Sequence, residues 1–323
     1  MGHPDLHLDH GAATARKRAL EAAIRAERRA VLVVNTQSRR GRHLFDEARQ
    51  RLVDGNIILD GAYAVRDPAR LPEIVRESIA AGHKLVLVGG GDGTISSVVD
   101  EFAYRDSVLA VLPVGTANSF ARAVGLPLDL AGAIDVAISG KVADVDLGVV
   151  NDNYFANAAA IGLPASIARD MPRTVKKVLG RVGYLFVAIA RLVRHQSFRC
   201  TVTSDGRAQV FDAMEVRIAN GEYQGGIRVT DEAGVETRDL VVQSITGRSR
   251  LSIARFWSRA VMGGGEGNNE DVHLIRGPEL LIETDPPQYV SIDGEPVTRT
   301  PIRARVARQA LLLMVPGDHA DIH

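Results

Sequence analysis

The sequence predicts an α/β N-terminal domain with a parallel sheet, followed by a mostly β, sandwich-like C-terminal domain. Three observations predict it. Short apolar, β-branched runs alternate with helix-like stretches up to about residue 145. Polar or glycine-rich loops leave three of those runs, as they do where parallel strands hand over to helices. Beyond residue 146 apolar runs recur with few helices between them, the pattern of antiparallel strands. A chain of 323 residues holds two such domains, and a 46% apolar fraction supplies cores for both.

Residues 1–29 are polar and rich in Arg, Glu and Ala, and read as an N-terminal tail with a solvated helix over 14–29. His3, His7 and His10 have helical spacing, but no firm structure supports them as a metal site. Ordered structure is expected from Ala30. A strand over 30–34 ends in a polar loop that includes Asn35, Thr36 and Ser38, and a helix runs on to Leu52. A strand near 62–65 and a helix from Pro68 to Ala81 follow. Residues 84–88 form a buried strand that enters a glycine run, with a helix over 94–102. A strand over 108–112, the loop from Pro113 and a helix to Val124 continue the alternation, so the first domain is placed at 30–145.

The second domain is placed at 146–316. Strands are expected over 154–161, 198–203, 211–219, 240–245, 279–283, 289–292 and 310–315. Helices are expected over 175–195 and 252–262, and Gly263 to Gly267 reads as a helix C-cap. The segment after Pro301 is free to return to the first domain, and 317–323 reads as a C-terminal tail.

The run Gly89, Gly90, Gly91, Asp92, Gly93, Thr94 is the main functional candidate. Glycines let backbone approach a ligand closely, and Gly93 can take positive φ. The following helix start offers unpaired N–H groups and a positive dipole end to a phosphate. Asp92 reads either as a Mg2+ ligand or as the cap of that helix. No Lys-Ser/Thr follows, so this is not a Walker A loop, and the spacing is wrong for a Rossmann fingerprint. The plain alternative is a tight strand-to-helix turn.

Zero formal net charge gives nothing global to attract nucleic acid, which is not expected as a partner. The single cysteine, Cys200, lies in a strand-like run and reads as a core residue ahead of a thiol nucleophile. With one cysteine, no signal-peptide stretch and no apolar run of bilayer length, the expected location is cytoplasmic. The 175–195 and 252–262 segments combine basic and apolar residues. Each reads as a core-packing helix, with contact to the inner membrane surface as the sharper alternative.

On these motifs the chain resembles the diacylglycerol-kinase catalytic-domain family, which includes bacterial diacylglycerol and YegS-like lipid kinases and the sphingosine and ceramide kinases. Residues 90–94 match Gly-Gly-Asp-Gly-Thr, and 113–122 match Pro-x-Gly-Thr-x-Asn-x-Phe-Ala-Arg. Asn35, Ser38 and Gly41 match part of Asn-Pro-x-Ser-Gly-x-Gly. Asn220, Tyr223, Gly225 and Gly226 resemble Asn-x-x-Tyr-Gly-Gly, and 293–295 match Asp-Gly-Glu. The likeness runs over about 31–315.

The resemblance implies an ATP-dependent lipid kinase that uses Mg2+ and meets a diacylglycerol-like acceptor at a membrane surface. Implied nucleotide contacts are Asn35, Ser38, Gly90, Gly91, Asp92, Gly93, Thr94, Ser96, Ser97, Thr116 and Asn118, with Asp92 also implied at the metal. Glu295 takes the general-base role, with Asp293 as a supporting or orienting group. Taken alone, Asp293-Gly294 is also the preferred two-residue hairpin turn.

Five positions depart from the pattern: Thr36 for Pro, Arg39 for Gly, Ser96 and Ser97 for Asn and Glu, and Thr237 for an Asp linked to a structural Mg2+; a nucleotide-contacting Thr expected near Val65 is also absent. Two other readings stay open. One is an NAD kinase, whose family shares Gly-Gly-Asp-Gly-Thr. The other is a nucleotide-binding regulatory protein of the same fold with weakened turnover. A homodimer is compatible with the sequence.

Overall fold

A computed structural model describes residues 10–37, 39–163, 165–166, 196–224, 226–228, 233–246 and 272–319. The expected 175–195 and 252–262 helices, the 263–267 glycine run, Ser38 and Gly225 lie outside the described residues. The chain forms two compact units. The first is Met1–Leu147 with Val235–Thr237 and Ala307–His323; the second is Gly148–Gly234 with Arg238–Val306.

In chain order the elements begin with α1 (His10–Glu27), β1 (Arg29–Asn35), α2 (Arg39–Asp54), β2 (Ile58–Val65), α3 (Leu71–Ala80), β3 (Leu85–Gly90) and α4 (Asp92–Phe102). Next come β4 (Val108–Pro113), α5 (Ser119–Ala123), α6 (Leu130–Ser139), β5 (Lys141–Val150), β6 (Asn153–Phe155) and β7 (Ala158–Gly162). The remaining strands are β8 (Phe198–Ser204), β9 (Arg207–Ala219), β10 (Tyr223–Gln224), β11 (Ile227–Arg228), β12 (Leu240–Thr246), β13 (Val272–Gly277), β14 (Glu279–Asp285), β15 (Tyr289–Ile292), β16 (Glu295–Arg299) and β17 (Ile302–Val315). Among the described residues no helix is long and apolar enough to cross a membrane.

The first unit holds the expected parallel sheet, in the order β17-β4-β3-β1-β2. Strands buried on both faces read as unbroken apolar runs, which is why β1, β3 and β4 were legible. One face carries Leu32, Val34, Leu87 and Leu112 into a core shared with Phe45 and Leu52 of α2 and Ile134 of α6. The opposite parity, including Val33, Val88 and Val111, is also buried, and α3 and α4 pack together near it. β2 and β3 flank β1 on opposite sides, so chain order reverses there. The loops leaving β1 and β3 therefore open at a topological switch point, where α/β sheets bind ligands.

Within the expected N-terminal tail, residues 10–29 are structured. Helix α1 buries Leu20 and Ile24, one turn apart, in the core of the first unit. Arg16 pairs with Asp106 at 2.5 Å, Lys17 with Asp144 at 2.8 Å, and Glu21 accepts from the Val142 N–H at 3.2 Å. Two apolar positions in an Ala- and Arg-rich stretch are too few to reveal a buried face in sequence. The C-terminal part of β17 also belongs to the first unit, pairing Leu313 with Leu109. Within the expected C-terminal tail, His319 meets Glu236 at 2.9 Å.

The second unit is antiparallel and mostly β. β9 is its central strand. Its first half pairs with β8, and its second half lies between β7 and β12. Alternate residues along these strands, such as Ile161, Val202, Val216, Val242 and Ile292, form one apolar core. The expected 154–161 strand is two, β6 and β7, broken at Ala156 and Asn157. β5, β13 and β16 were not legible as strands. Of these, β13 and β16 each expose part of their length, which weakens the alternation.

Candidate functional site

The glycine run is tighter than its composition suggests. Gly89 and Gly90 are the last residues of β3, and α4 already starts at Asp92, so Gly91 alone joins them. Gly93 is helical and does not use the positive φ open to it. Asp92 is not the helix cap. Gly91 holds that position and provides no side-chain bond to the first turn. The Thr94 N–H donates to Gly91 O at 2.9 Å, which leaves the Asp92 and Gly93 N–H groups and the positive dipole end for an anion. A methyl group added to Gly93 would meet nothing within 4 Å, which marks open space over that turn.

Asp92 reaches across to the second motif. Its Oδ1 accepts from the Phe120 N–H at 3.2 Å, at the start of α5, and its other oxygen has no partner among the described residues. The two loops also meet as backbone, with the Val114 N–H donating to Gly90 O at 3.1 Å. Asn118 sits at φ 50 and ψ 48 and spends its amide on its own loop. Its Oδ1 accepts from Gly115 N–H at 3.0 Å, and its Nδ2 donates to Pro113 O and Gly115 O at 3.1 Å. Asn118 therefore shapes the loop that leaves Thr116 exposed.

The β1 loop is tied to the same helix. Asn35 Nδ2 donates to Thr94 Oγ1 at 3.0 Å. Thr94 is buried, so its hydroxyl fixes the loops to each other. Ser97 turns back to Thr94 O at 2.7 Å, and Ser96 is half-buried on α4. Thr36 uses its N–H to reach Val65 O at 2.7 Å, a bond that a Pro there could not donate. Its Oγ1 is buried with no hydrogen-bond partner among the described residues.

In the second unit, Asp293 and Gly294 form a two-residue turn at φ 45 and φ 90, and Ile292 pairs with Glu295 across it. Both central residues at positive φ define the hairpin turn that Asp-Gly favours. The Asp293 carboxylate is occupied by backbone. It accepts from the N–H groups of Ala156, Asn157 and Ala158 at 3.2, 3.3 and 3.1 Å. Of the two roles expected for it, orienting the hairpin fits this geometry. Glu295 is exposed at the start of β16. The turn after β9 holds the same loop from the other side, with Asn220 Nδ2 donating to Ala156 O at 3.0 Å.

No three His, Cys, Asp or Glu side chains gather into a metal cluster among the described residues. Glu236 beside Thr237 pairs with His319 instead. Cys200 is fully buried, and burial pushes its thiol up to about 12, far from the range of a nucleophile. Sequence reasoning noted Thr36 only as a departure from Pro and missed its orphaned hydroxyl, and it missed the amide of Asn157. Neither carries a spacing signal, because each is defined by burial alone.

Two family models match successive parts of the chain. The diacylglycerol kinase catalytic domain matches residues 29–150, and the YegS C-terminal NAD kinase beta sandwich-like domain matches 157–315. A Pseudomonas aeruginosa PAO1 protein named probable lipid kinase YegS-like is 31% identical over 246 residues, covering 76% of this chain and 80% of that one. A Pseudomonas syringae relative of the same name is 28% identical over 295 residues, covering 90% and 95%. Two crystal structures from Bacillus anthracis str. Sterne, one described as a diacylglycerol kinase, share the fold. Their TM-scores are 0.77 and 0.71 at 22% and 20% identity, covering 91% of this chain and 97% and 98% of theirs.

Proposed function

The chain belongs to the YegS-like lipid kinase family built on the diacylglycerol kinase catalytic domain, and we propose that it transfers the γ-phosphate of ATP to a lipid hydroxyl. The observation that carries this reading is the α4 start. A helix end without a side-chain cap faces open space and is braced by a second loop through Asp92 and Phe120. Such an end binds phosphate through its amides and dipole.

Phosphoryl transfer depends on positioning and charge neutralisation. The α4 amides hold the nucleotide phosphates, and the hydroxyl of Thr36 gains a partner from the nucleotide. Asp92 fits Mg2+, because its second carboxylate oxygen is a hard anionic donor without a protein partner among the described residues. Magnesium, when bound, neutralises phosphate charge. Glu295 takes the proton from the acceptor hydroxyl, a role worth roughly 10²–10⁴-fold in rate. Asp293 fixes the turn that presents Glu295. The acceptor is a diacylglycerol-like lipid met at a membrane surface.

The test is γ-phosphate transfer with diacylglycerol, phosphatidylglycerol, sphingosine and NAD as acceptors. Transfer to a lipid is expected, and transfer to NAD alone overturns the reading. Glu295→Gln is expected to keep ATP binding and lose turnover. Single-turnover transfer near the parent rate would remove Glu295 as the base.

A further inference from the structure

We propose that Asn157 binds the acceptor, its side-chain amide gripping a second head-group hydroxyl beside the one that receives phosphate, which phosphatidylglycerol has and diacylglycerol lacks. The inference deepens the lipid-kinase reading and rests on it.

Asn157 is held rigid by its backbone. Its N–H donates to Asp293 Oδ1 at 3.3 Å, and its carbonyl accepts from the N–H groups of Asn220 at 2.9 Å and Gly221 at 3.1 Å. The residue is only 6% exposed. Its Oδ1 is nevertheless buried with no hydrogen-bond partner among the described residues. Native structures rarely leave a buried amide oxygen idle, because its desolvation is not repaid.

The neighbours sharpen the contrast. Asn220 spends its amide on Ala156 O, and Asp293 spends its carboxylate on three backbone N–H groups. Both side chains build the frame around residues 156–158. The side chain of Asn157 takes no part in that frame, yet the frame fixes where it stands. Flanking Ala156 and Ala158 carry only methyl groups, so neither side chain offers the amide a polar partner.

The chemistry selects the ligand class. An idle carbonyl oxygen asks for a donor, and the amide N–H next to it offers a donor in return. An alcohol satisfies both, since a hydroxyl donates once and accepts through its lone pairs. A ligand with carbonyl groups alone would leave Oδ1 unpaired. Asp293, which fixes Asn157, starts the turn that ends at Glu295, so one hairpin positions both the base and the proposed grip on the head group.

The experiment compares steady-state kinetics of the full-length parent, Asn157→Ala and Asn157→Ser, using phosphatidylglycerol in mixed micelles as the acceptor. Asn157→Ala is expected to raise the acceptor KM about tenfold, the loss of one good hydrogen bond. The KM for ATP and the melting temperature should hold. Asn157→Ser, which keeps a hydroxyl, should recover part of the acceptor affinity. An unchanged acceptor KM in an active Asn157→Ala protein overturns the inference and leaves the kinase reading intact. Parallel losses in both KM values and in melting temperature, with no recovery in Asn157→Ser, show a structural role and also overturn it. No transfer to lipid by the parent overturns the reading and the inference together.

Discussion

A methyl group on Gly91 would stand 3.1 Å from Gly115 Cα, so the two phosphate-side loops touch through glycine backbone. The approach is less tolerant from the other side. A methyl on Gly115 would fall inside van der Waals contact with Gly91 and stand 2.7 Å from Asn118 Oδ1. Backbone cannot move aside as a flexible side chain does. Gly115→Ala is therefore expected to cost about 1–3 kcal/mol in urea unfolding and to lower phosphoryl transfer more than about tenfold. Gly93→Ala separates stability from function. Gly93 is helical and unobstructed, so Ala there should stabilise by roughly 0.5–1 kcal/mol. The same methyl enters the open space over α4, and the KM for ATP should rise. Unchanged kinetics in Gly93→Ala would move the phosphate elsewhere.

Asp92 is expected to act twice, as a tether and as a metal ligand. Asp92→Asn keeps an acceptor for the Phe120 N–H, so its stability should stay within about 0.5 kcal/mol of the parent. Its use of Mg-ATP should fall, read as a higher magnesium concentration for half-maximal rate. Asp92→Ala also removes the tether and should lose about a further 1 kcal/mol. Unchanged magnesium dependence in Asp92→Asn would leave Asp92 as a tether alone.

These residues also show what was legible beforehand. β1, β3 and β4 could be read because doubly buried strands are unbroken apolar runs, and their loops could be read because Gly, Pro and Asn mark turns. The position of Asp92 could not. Which of Gly91 and Asp92 caps α4 depends on a single-residue boundary, and such boundaries are not fixed by pattern. The bond from Phe120 to Asp92 spans two motifs that only folding brings together. Asp293 was legible as a turn residue, since Asp-Gly is a local signal. Its three backbone donors come from residues 156–158, far away in sequence. Helix α1 was missed as a packed element because most of its length is polar and its anchors are ion pairs with distant residues.

Cys200 gives a pH test. Its thiol titrates near 12 because burial disfavours the thiolate, which places the folded value above the unfolded one. The folded state then holds its proton across the window from the ordinary thiol range up to about 12. Stability from this group is complete below that window and falls as pH rises through it. At pH 8 the folded protein should resist thiol reagents, and urea should expose one reactive thiol per chain. Rapid labelling without denaturant would contradict the buried β8 position.

The pair Glu215 and Arg217 offers the sharpest stability test in the second unit. Both side chains are essentially buried, and they meet as an ion pair two residues apart on β9. Alternation along a strand puts both on the face opposite Val216 and Ile218, which belong to the apolar core. Glu215 Oε2 has no hydrogen-bond partner among the described residues. A buried ion pair recovers little of its desolvation cost relative to apolar groups of similar volume. Removing one partner is worse than removing both. Glu215→Leu removes the Arg217 guanidinium's carboxylate and should cost about 3–5 kcal/mol in urea unfolding. Glu215→Leu combined with Arg217→Met removes both charges and should fall near the parent stability or above it. With Arg217→Met alone completing the double-mutant cycle, the coupling energy is large and favourable to the pair, although the pair adds little over an apolar replacement. A double variant as unstable as Glu215→Leu would mean that this face of the sheet needs the charges themselves.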